Sequence, residues 1–137
     1  NSIARYSDLF STRVRTDFAD PLLVGGATAF KVSPNVTSST TLLVGTSIGK
    51  ILKVENANRT PVWTDIDLSE TIDVGSISCI EYGDSELEIF VTLHNYGVDN
   101  IWYTLNGGVN WFSKDGDFPD IPVKAIMKNP LNLNELI

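Results

Sequence analysis

The chain has 137 residues, with 42% apolar and 20% charged side chains, a length and composition that give one globular core and exclude disorder. Its net charge of −7 and pI near 4.5 argue against a nucleic-acid partner, because phosphate binding draws on a surplus of Lys and Arg. No apolar run approaches the ~18 residues of a membrane-spanning helix. The single cysteine, Cys79, rules out an internal disulfide and lies in a strand-like run as a small buried hydrophobe. The one histidine, His94, has no acidic or nucleophilic neighbour in sequence.

In chain order, the start Asn1-Ser2-Ile3-Ala4-Arg5 has neither an initiator Met nor a signal-peptide pattern, so the chain reads as a piece of a longer one. Residues 1 to about 24 are irregular, with room for one short strand between Asp8 and Asp17 and no helical period. A regular pattern starts at Ala27. Thr28 to Ser33 is a strand stopped at Pro34-Asn35, and Thr40 to Thr46 is a β-branched strand. Ser47-Ile48-Gly49 turns the chain, Lys50 to Val54 is the next strand, Asn56-Ala57-Asn58 breaks it, and Pro61 to Ile66 is the fourth.

The same order then recurs: strands at Ser76 to Tyr82, Leu87 to Leu93, Asn100 to Thr104 and Val109 to Phe112, with turns at Gly83-Asp84, Asn95-Tyr96-Gly97 and Asn106-Gly107-Gly108. A third copy starts with a strand from Val123 to Met127, breaks at Asn129-Pro130 and enters its second strand at Glu135-Leu136-Ile137. Trp63 and Trp111 are 48 residues apart, and Pro34 and Pro130 are 96 apart, or two such periods, with Tyr82 at the middle position. Phe18-Ala19-Asp20-Pro21 is similar to Phe118-Pro119-Asp120-Ile121-Pro122, which makes residues 1–26 the tail of an earlier copy. The expected units are therefore 1–26, 27–72, 73–120 and 121–137.

Four short strands in a unit of about 40 to 50 residues are the signature of a β-propeller blade. The expected fold is all-β, a partial β-propeller of four-stranded antiparallel blades. The alternative is a β-sandwich, which strand count alone does not separate from it. Two full and two partial blades leave strand edges and apolar faces uncovered, so self-association is expected.

The stretch from Thr104 to Trp111 resembles an Asp-box, or BNR repeat, whose pattern is Ser or Thr, any residue, Asp, any residue, Gly, two residues, Trp. Thr104, Gly108 and Trp111 match, and Asn106 stands where the family has Asp. Asn keeps a short acceptor able to bond backbone N–H groups in a tight turn. The turn before Trp63 lacks the glycines. The wider pattern, over residues 27 to 137, is similar to propellers of sialidases, sortilin-type domains and xyloglucanases. The resemblance implies a structural box between a third and fourth strand. It also implies an extracellular or cell-surface setting, where the sequons at Asn35 and Asn58 would matter.

Catalytic chemistry is less well supplied. A sialidase-like site needs clustered arginines, whereas Arg5, Arg13 and Arg15 lie in the irregular head and only Arg59 lies elsewhere. Glu81, Asp84, Asp99 and Asp115 are candidate carboxylates for a glycosidase pair, and no spacing selects two of them. Asp115, Asp117 and Asp120 form an oxygen-rich stretch of the kind that binds calcium, without the twelve-residue loop or its closing Glu. Tyr96 and Trp102 are candidates for stacking on a sugar or a protein ligand, although alternation puts Trp102 and Tyr103 on opposite faces, with at least one in the core. The expected function is a non-catalytic repeat scaffold or binding module of a secreted or surface protein. The alternative is a fragment of a propeller glycoside hydrolase whose active site needs further blades.

Overall fold

The computed structural model describes residues 1–66 and 75–137. These residues contain ten strands and no helix: β1 (Ile3–Ser7), β2 (Val14–Phe18), β3 (Ala27–Val32), β4 (Leu42–Thr46), β5 (Ile51–Glu55), β6 (Val62–Asp65), β7 (Ile77–Tyr82), β8 (Ile89–Leu93), β9 (Ile101–Thr104) and β10 (Phe112–Ser113). They form a hairpin, β1-β2, and two four-stranded antiparallel meanders, β3-β4-β5-β6 and β7-β8-β9-β10. The boundary expected at residues 72 and 73 lies outside the described residues.

The two meanders share one register. Both first strands carry an irregularity at the same place, between Ala27 and Ala29 and between Ile77 and Cys79. Lys53 faces Thr64 as Tyr103 faces Phe112, displacements of 103 − 53 = 50 and 112 − 64 = 48. The 48-residue step between Trp63 and Trp111, each one residue before those partners, is thus a step between equivalent positions.

The N-terminal stretch holds a hairpin where the sequence pattern gave one short strand. Arg5 faces Thr16 as Lys53 faces Thr64, a displacement of 48 for both partners. Asp8 (φ 53°) and Asn56 (φ 52°) hold the same left-handed conformation in their turns, again 48 apart. The hydrogen bond from Ser11 N–H to Asp8 O likewise matches that from Arg59 N–H to Asn56 O. The hairpin has no long apolar run to mark it: β1 buries only Ile3, and β2 is exposed from Val14 to Asp17.

After Ile121 the expected strand from Val123 to Met127 does not form. Val123 N–H donates to Leu93 O instead, on the second sheet, and pairing starts only at Met127, which exchanges two hydrogen bonds with Ile137. A bridge joins Lys128 to Leu136. Asn129 N–H bonds Glu135 O as Ser33 N–H bonds Thr41 O and Gly83 N–H bonds Glu88 O. The residues that follow these donors are Pro130, Pro34 and Asp84, so Asp84 rather than Tyr82 occupies the middle position. The fourth strand of the second sheet is also shorter than expected, because the turn through Gly107 and Gly108 runs on to Trp111.

Face-to-face stacking explains the burial. β4 and β8 are buried at every residue because each sheet is covered on both sides of its second strand. Leu42, Val44, Leu52 and Val54 of the first sheet pack on Ile3, Phe18 and Leu23 of the N-terminal stretch. The alternate residues Leu43 and Ile51 pack on Ile80, Val91 and Trp102 of the second sheet. The sheets approach so closely that a Cβ on Gly45 would lie 2.4 Å from Ile77 Cγ2. Polar links cross the same junction: Lys31 pairs with Glu81 at 2.6 Å, and the Ser33 hydroxyl donates to the Glu86 carboxylate.

Candidate functional site

The turn between β9 and β10 is closed by its own side chains. Thr104, fully buried, accepts from Gly108 N–H at 3.0 Å and from Asn106 N–H at 3.3 Å through its hydroxyl. The same hydroxyl donates to Asn106 Oδ1 at 2.8 Å, which also accepts from Asn110 N–H at 2.9 Å. Gly107 (φ 70°) and Gly108 (φ 98°) take the left-handed conformations the reversal needs. Gly107 N–H donates to Leu87 O, tying the turn to the β7–β8 loop, as Ala57 N–H donates to Thr40 O in the first sheet. Trp111 then enters the core at 7% exposure, and its indole Nε1 has no acceptor among the described residues. Thr104, Asn106 and Gly108 are therefore bonded, with Asn110, into one turn, and Trp111 follows it into the core.

The two stacking candidates part company. Tyr96 stands out at 72% exposure on the β8–β9 loop. Stacking is not open to Trp102: it is 8% exposed in the core between the sheets, and its indole N–H is spent on Asp99 O at 2.8 Å. Alternation turns Tyr103 to the other face, where its ring lies between Phe90 and Phe112 at centroid distances of 6.3 and 5.7 Å, with Lys114 Nζ 5.0 Å above it.

Beside Tyr96, a polar cleft of about 340 Å³ is lined by Gly97, Asp99, Asp115, Phe118 and Asp120. Its carboxylates are largely committed to the backbone. Asp115 accepts from Asn100 N–H at 2.8 Å and from Ile101 N–H at 2.6 Å, and Asp120 accepts from Gly97 N–H at 2.7 Å. Asp115, Asp117 and Asp120 do not form a cluster that could hold a metal ion; none exists among the described residues.

The other candidates are dispersed. Glu81 is paired with Lys31, and Asp84 with Lys128 at 2.8 Å. Arg5 donates to Ala57 O at 2.8 Å and Arg15 pairs with Asp17 at 2.9 Å, while Arg13 and Arg59 are exposed. Cys79 is half-buried with its thiol directed to Ile126 O at 3.7 Å, and His94 is exposed. No family model, curated protein or solved structure matches the chain.

Sequence reasoning missed the polar groups between sheets. Burial, and then the charge of Glu86, push the Tyr82 hydroxyl well above its ordinary range. Lys128, with a side chain 9% exposed, bridges Asp84 and Glu88 and so clamps the last hairpin to the second sheet. One signal was available: Asp8, Asn56 and Asn106 are short polar residues at spacings of 48 and 50, each at the turn after a third strand. No helix among the described residues is long and apolar enough to cross a membrane.

Proposed function

We propose that the chain is a non-catalytic repeat scaffold or binding module of propeller type, from a secreted or cell-surface protein, in which the Thr104–Trp111 turn is a structural Asp-box. The observation that carries this reading is the common register. The same strand pairing recurs in two complete sheets, in the β1-β2 hairpin and in the Met127–Ile137 hairpin, and successive units stack face to face. Such stacking makes each unit depend on its neighbours for its core, the arrangement of a repeat array. The wedge of an array that closes on itself would turn these sheets into blades.

A scaffold role is supported by where the polar chemistry goes. Asn106, Asp115 and Asp120 bond backbone N–H groups, and Glu81 and Asp84 hold lysines of adjacent units. A carbohydrate or protein ligand would meet the exposed Tyr96 ring beside the polar cleft. Uncovered edges and faces make self-association part of the same reading.

Incubation with sialosides and β-glucans tests it. No product above buffer is expected. Turnover abolished by Glu81→Gln, Asp84→Asn, Asp99→Asn or Asp115→Asn would overturn the non-catalytic reading. On a glycan and peptide array, any bound ligand should be lost in Tyr96→Ala, and retention would move the site elsewhere.

A further inference from the structure

Asn106-Gly107 is the one Asn-Gly pair in the sequence. Asparagine is chemically labile because the backbone nitrogen of the next residue can attack its side-chain carbonyl. A following glycine has no Cβ to block that attack. Asn106 is exposed, and its Nδ2, the leaving group, donates to nothing among the described residues. The other turns after a third strand lack this pairing. Asn56 precedes Ala57, whose methyl group stands beside the nucleophile, and Asp8 has no amide to lose.

The reaction needs only water. Gly107 N bonds Asn106 Cγ, the Cγ–Nδ2 bond breaks, and ammonia leaves with the proton of the Gly107 N–H. Water then opens the cyclic imide in one of two ways. Attack at Cγ restores the ordinary peptide link and gives Asp. Attack at the backbone carbonyl carbon leaves the chain linked through Cγ and gives isoaspartate. One water is consumed and one ammonia released in both cases.

The folded turn opposes each part of this reaction. The Gly107 N–H, which must give up its proton, is bound to Leu87 O at 2.9 Å. Asn106 Oδ1 is held by the Thr104 hydroxyl at 2.8 Å and by Asn110 N–H at 2.9 Å. These donors keep the carboxamide beside residues 104 and 110, whereas ring closure ties its carbon to Gly107 N. The backbone has little room to swing toward it. A Cβ on Gly107 would lie 3.3 Å from Leu87 Cδ2, and one on Gly108 2.8 Å from Ile66 Cβ. Three hydrogen bonds and two packing contacts thus separate the closed turn from the imide.

We propose that Asn106 is a spontaneous modification site gated by its own turn: deamidation runs only through the opened turn, which recloses on the Asp product and not on the isoaspartate product. The Asp form keeps its oxygens on Cγ, so the Thr104 and Asn110 donors find a charged acceptor. It is also the residue that the Asp-box pattern has at this place. In the isoaspartate form the chain runs through Cβ and Cγ, which adds one atom to the backbone and takes the Cγ oxygen out of the side chain. Gly107 and Gly108 already adopt φ of 70° and 98° to bring β10 back. An added backbone atom in that reversal moves the Gly107 N–H off Leu87 O and leaves Asn110 N–H without its acceptor. Each conversion is therefore a permanent record of local opening at this turn. The proposal holds for a scaffold and for a fragment of an enzyme alike.

The test incubates the 137-residue chain at mildly alkaline pH, folded in buffer and unfolded in urea. Peptide mass spectrometry follows Asn106, with the Asp and isoaspartate peptides separated by chromatography. Loss of Asn106 is expected to be roughly 5–150-fold slower in the folded chain, the factor for opening two hydrogen bonds. Thr104→Ala removes one donor to Asn106 Oδ1 and should narrow that ratio several-fold; if this variant does not fold, the ratio of the parent chain decides. After refolding of the aged chain, the Asp form should unfold at a urea midpoint no lower than the parent's, and the isoaspartate form at a lower one. Equal rates in buffer and urea would overturn the gate. So would faster loss in the folded chain, which signals that the two donors activate the carbonyl. Equal urea midpoints for the two products would overturn the selection between them.

Discussion

Replacing Asn106 tests whether the β9–β10 turn is held by its side chains. Asn106 Oδ1 accepts two hydrogen bonds, from the Thr104 hydroxyl at 2.8 Å and from Asn110 N–H at 2.9 Å. At about 0.5–1.5 kcal/mol net for each, Asn106→Ala is expected to cost about 1–3 kcal/mol. The buried Thr104 hydroxyl loses its acceptor, which puts the cost toward the upper end. Asn106→Asp, the residue the Asp-box pattern expects, keeps both bonds and makes them charge-assisted. Because residue 106 is exposed, screening limits the gain to about 0.5–1 kcal/mol.

Urea unfolding followed by tryptophan fluorescence is the assay, since Trp111 is buried directly after the turn. Thermal midpoints should move by about 3–5 °C per kcal/mol for a chain of this length. The Asp variant adds a pH signature. Hydrogen bonds to a carboxylate depress its folded-state pKa, so the gain is present at neutral pH and lost as pH falls through that value. Asn110→Ala leaves the backbone donor in place and should change stability by less than about 0.5 kcal/mol. If Asn106→Ala unfolds within about 0.5 kcal/mol of the parent, or Asn106→Asp is less stable than Asn106→Ala, the side-chain closure is refuted.

Gly108→Ala and Gly97→Ala separate strain from collision. Both glycines have positive φ, but a Cβ on Gly108 would lie 2.8 Å from Ile66 Cβ, while one on Gly97 meets nothing within 4 Å. Urea midpoints should place Gly108→Ala about 1–3 kcal/mol below Gly97→Ala, the cost of overpacking; equal losses would show that the turn does not press on the first sheet. Tyr82→Phe reports on the junction between sheets. The folded-state hydroxyl is held protonated above its ordinary pKa of 10.0, so its contribution is complete below that value and lost as pH rises above it. The variant should lose less stability between about pH 10 and 12 than the parent, measured by urea unfolding across that range. Lys128→Met removes a cation 2.8 Å from Asp84 and 2.9 Å from Glu88. It should lower the urea midpoint and weaken its dependence on salt, and an unchanged salt dependence would count against an electrostatic clamp.

The sequence spoke most clearly where strands are covered on both faces. β4 and β8 are unbroken apolar runs because each residue meets either a neighbouring sheet or hairpin. The Trp63–Trp111 step was legible because two large residues at equivalent positions survive in both sheets. β1 and β2 were not, since six of their ten residues are exposed and only their partners' register reveals them. Alternation separated Trp102 from Tyr103 but could not say which was inside, because both are aromatic and both faces of the sheet are partly covered. In the sequence Asp115 is a candidate for a glycosidase pair or a calcium-type stretch, and its actual partners, the N–H groups of Asn100 and Ile101, are 15 and 14 residues away.

Comparing the three third-to-fourth-strand turns shows why the Asp-box-like pattern occurs only once. Asp8 and Asn56 make the reversal by adopting positive φ themselves, a conformation that Asp and Asn tolerate better than most residues. From Val54 to Trp63 the chain takes 63 − 54 = 9 steps; from Thr104 to Trp111 it takes 111 − 104 = 7. Two residues fewer must still bring the fourth strand back in the same register. The left-handed positions therefore pass to Gly107 and Gly108, where no Cβ opposes them. Asn106 is released from that duty, and its side chain becomes the staple between Thr104 and Asn110. Inserting two residues after Gly108 should make the staple dispensable, so that Asn106→Ala costs less than about 0.5 kcal/mol in the lengthened chain while it remains costly in the parent. Equal costs in both, measured as urea midpoints, would show that turn length does not create the need for the staple.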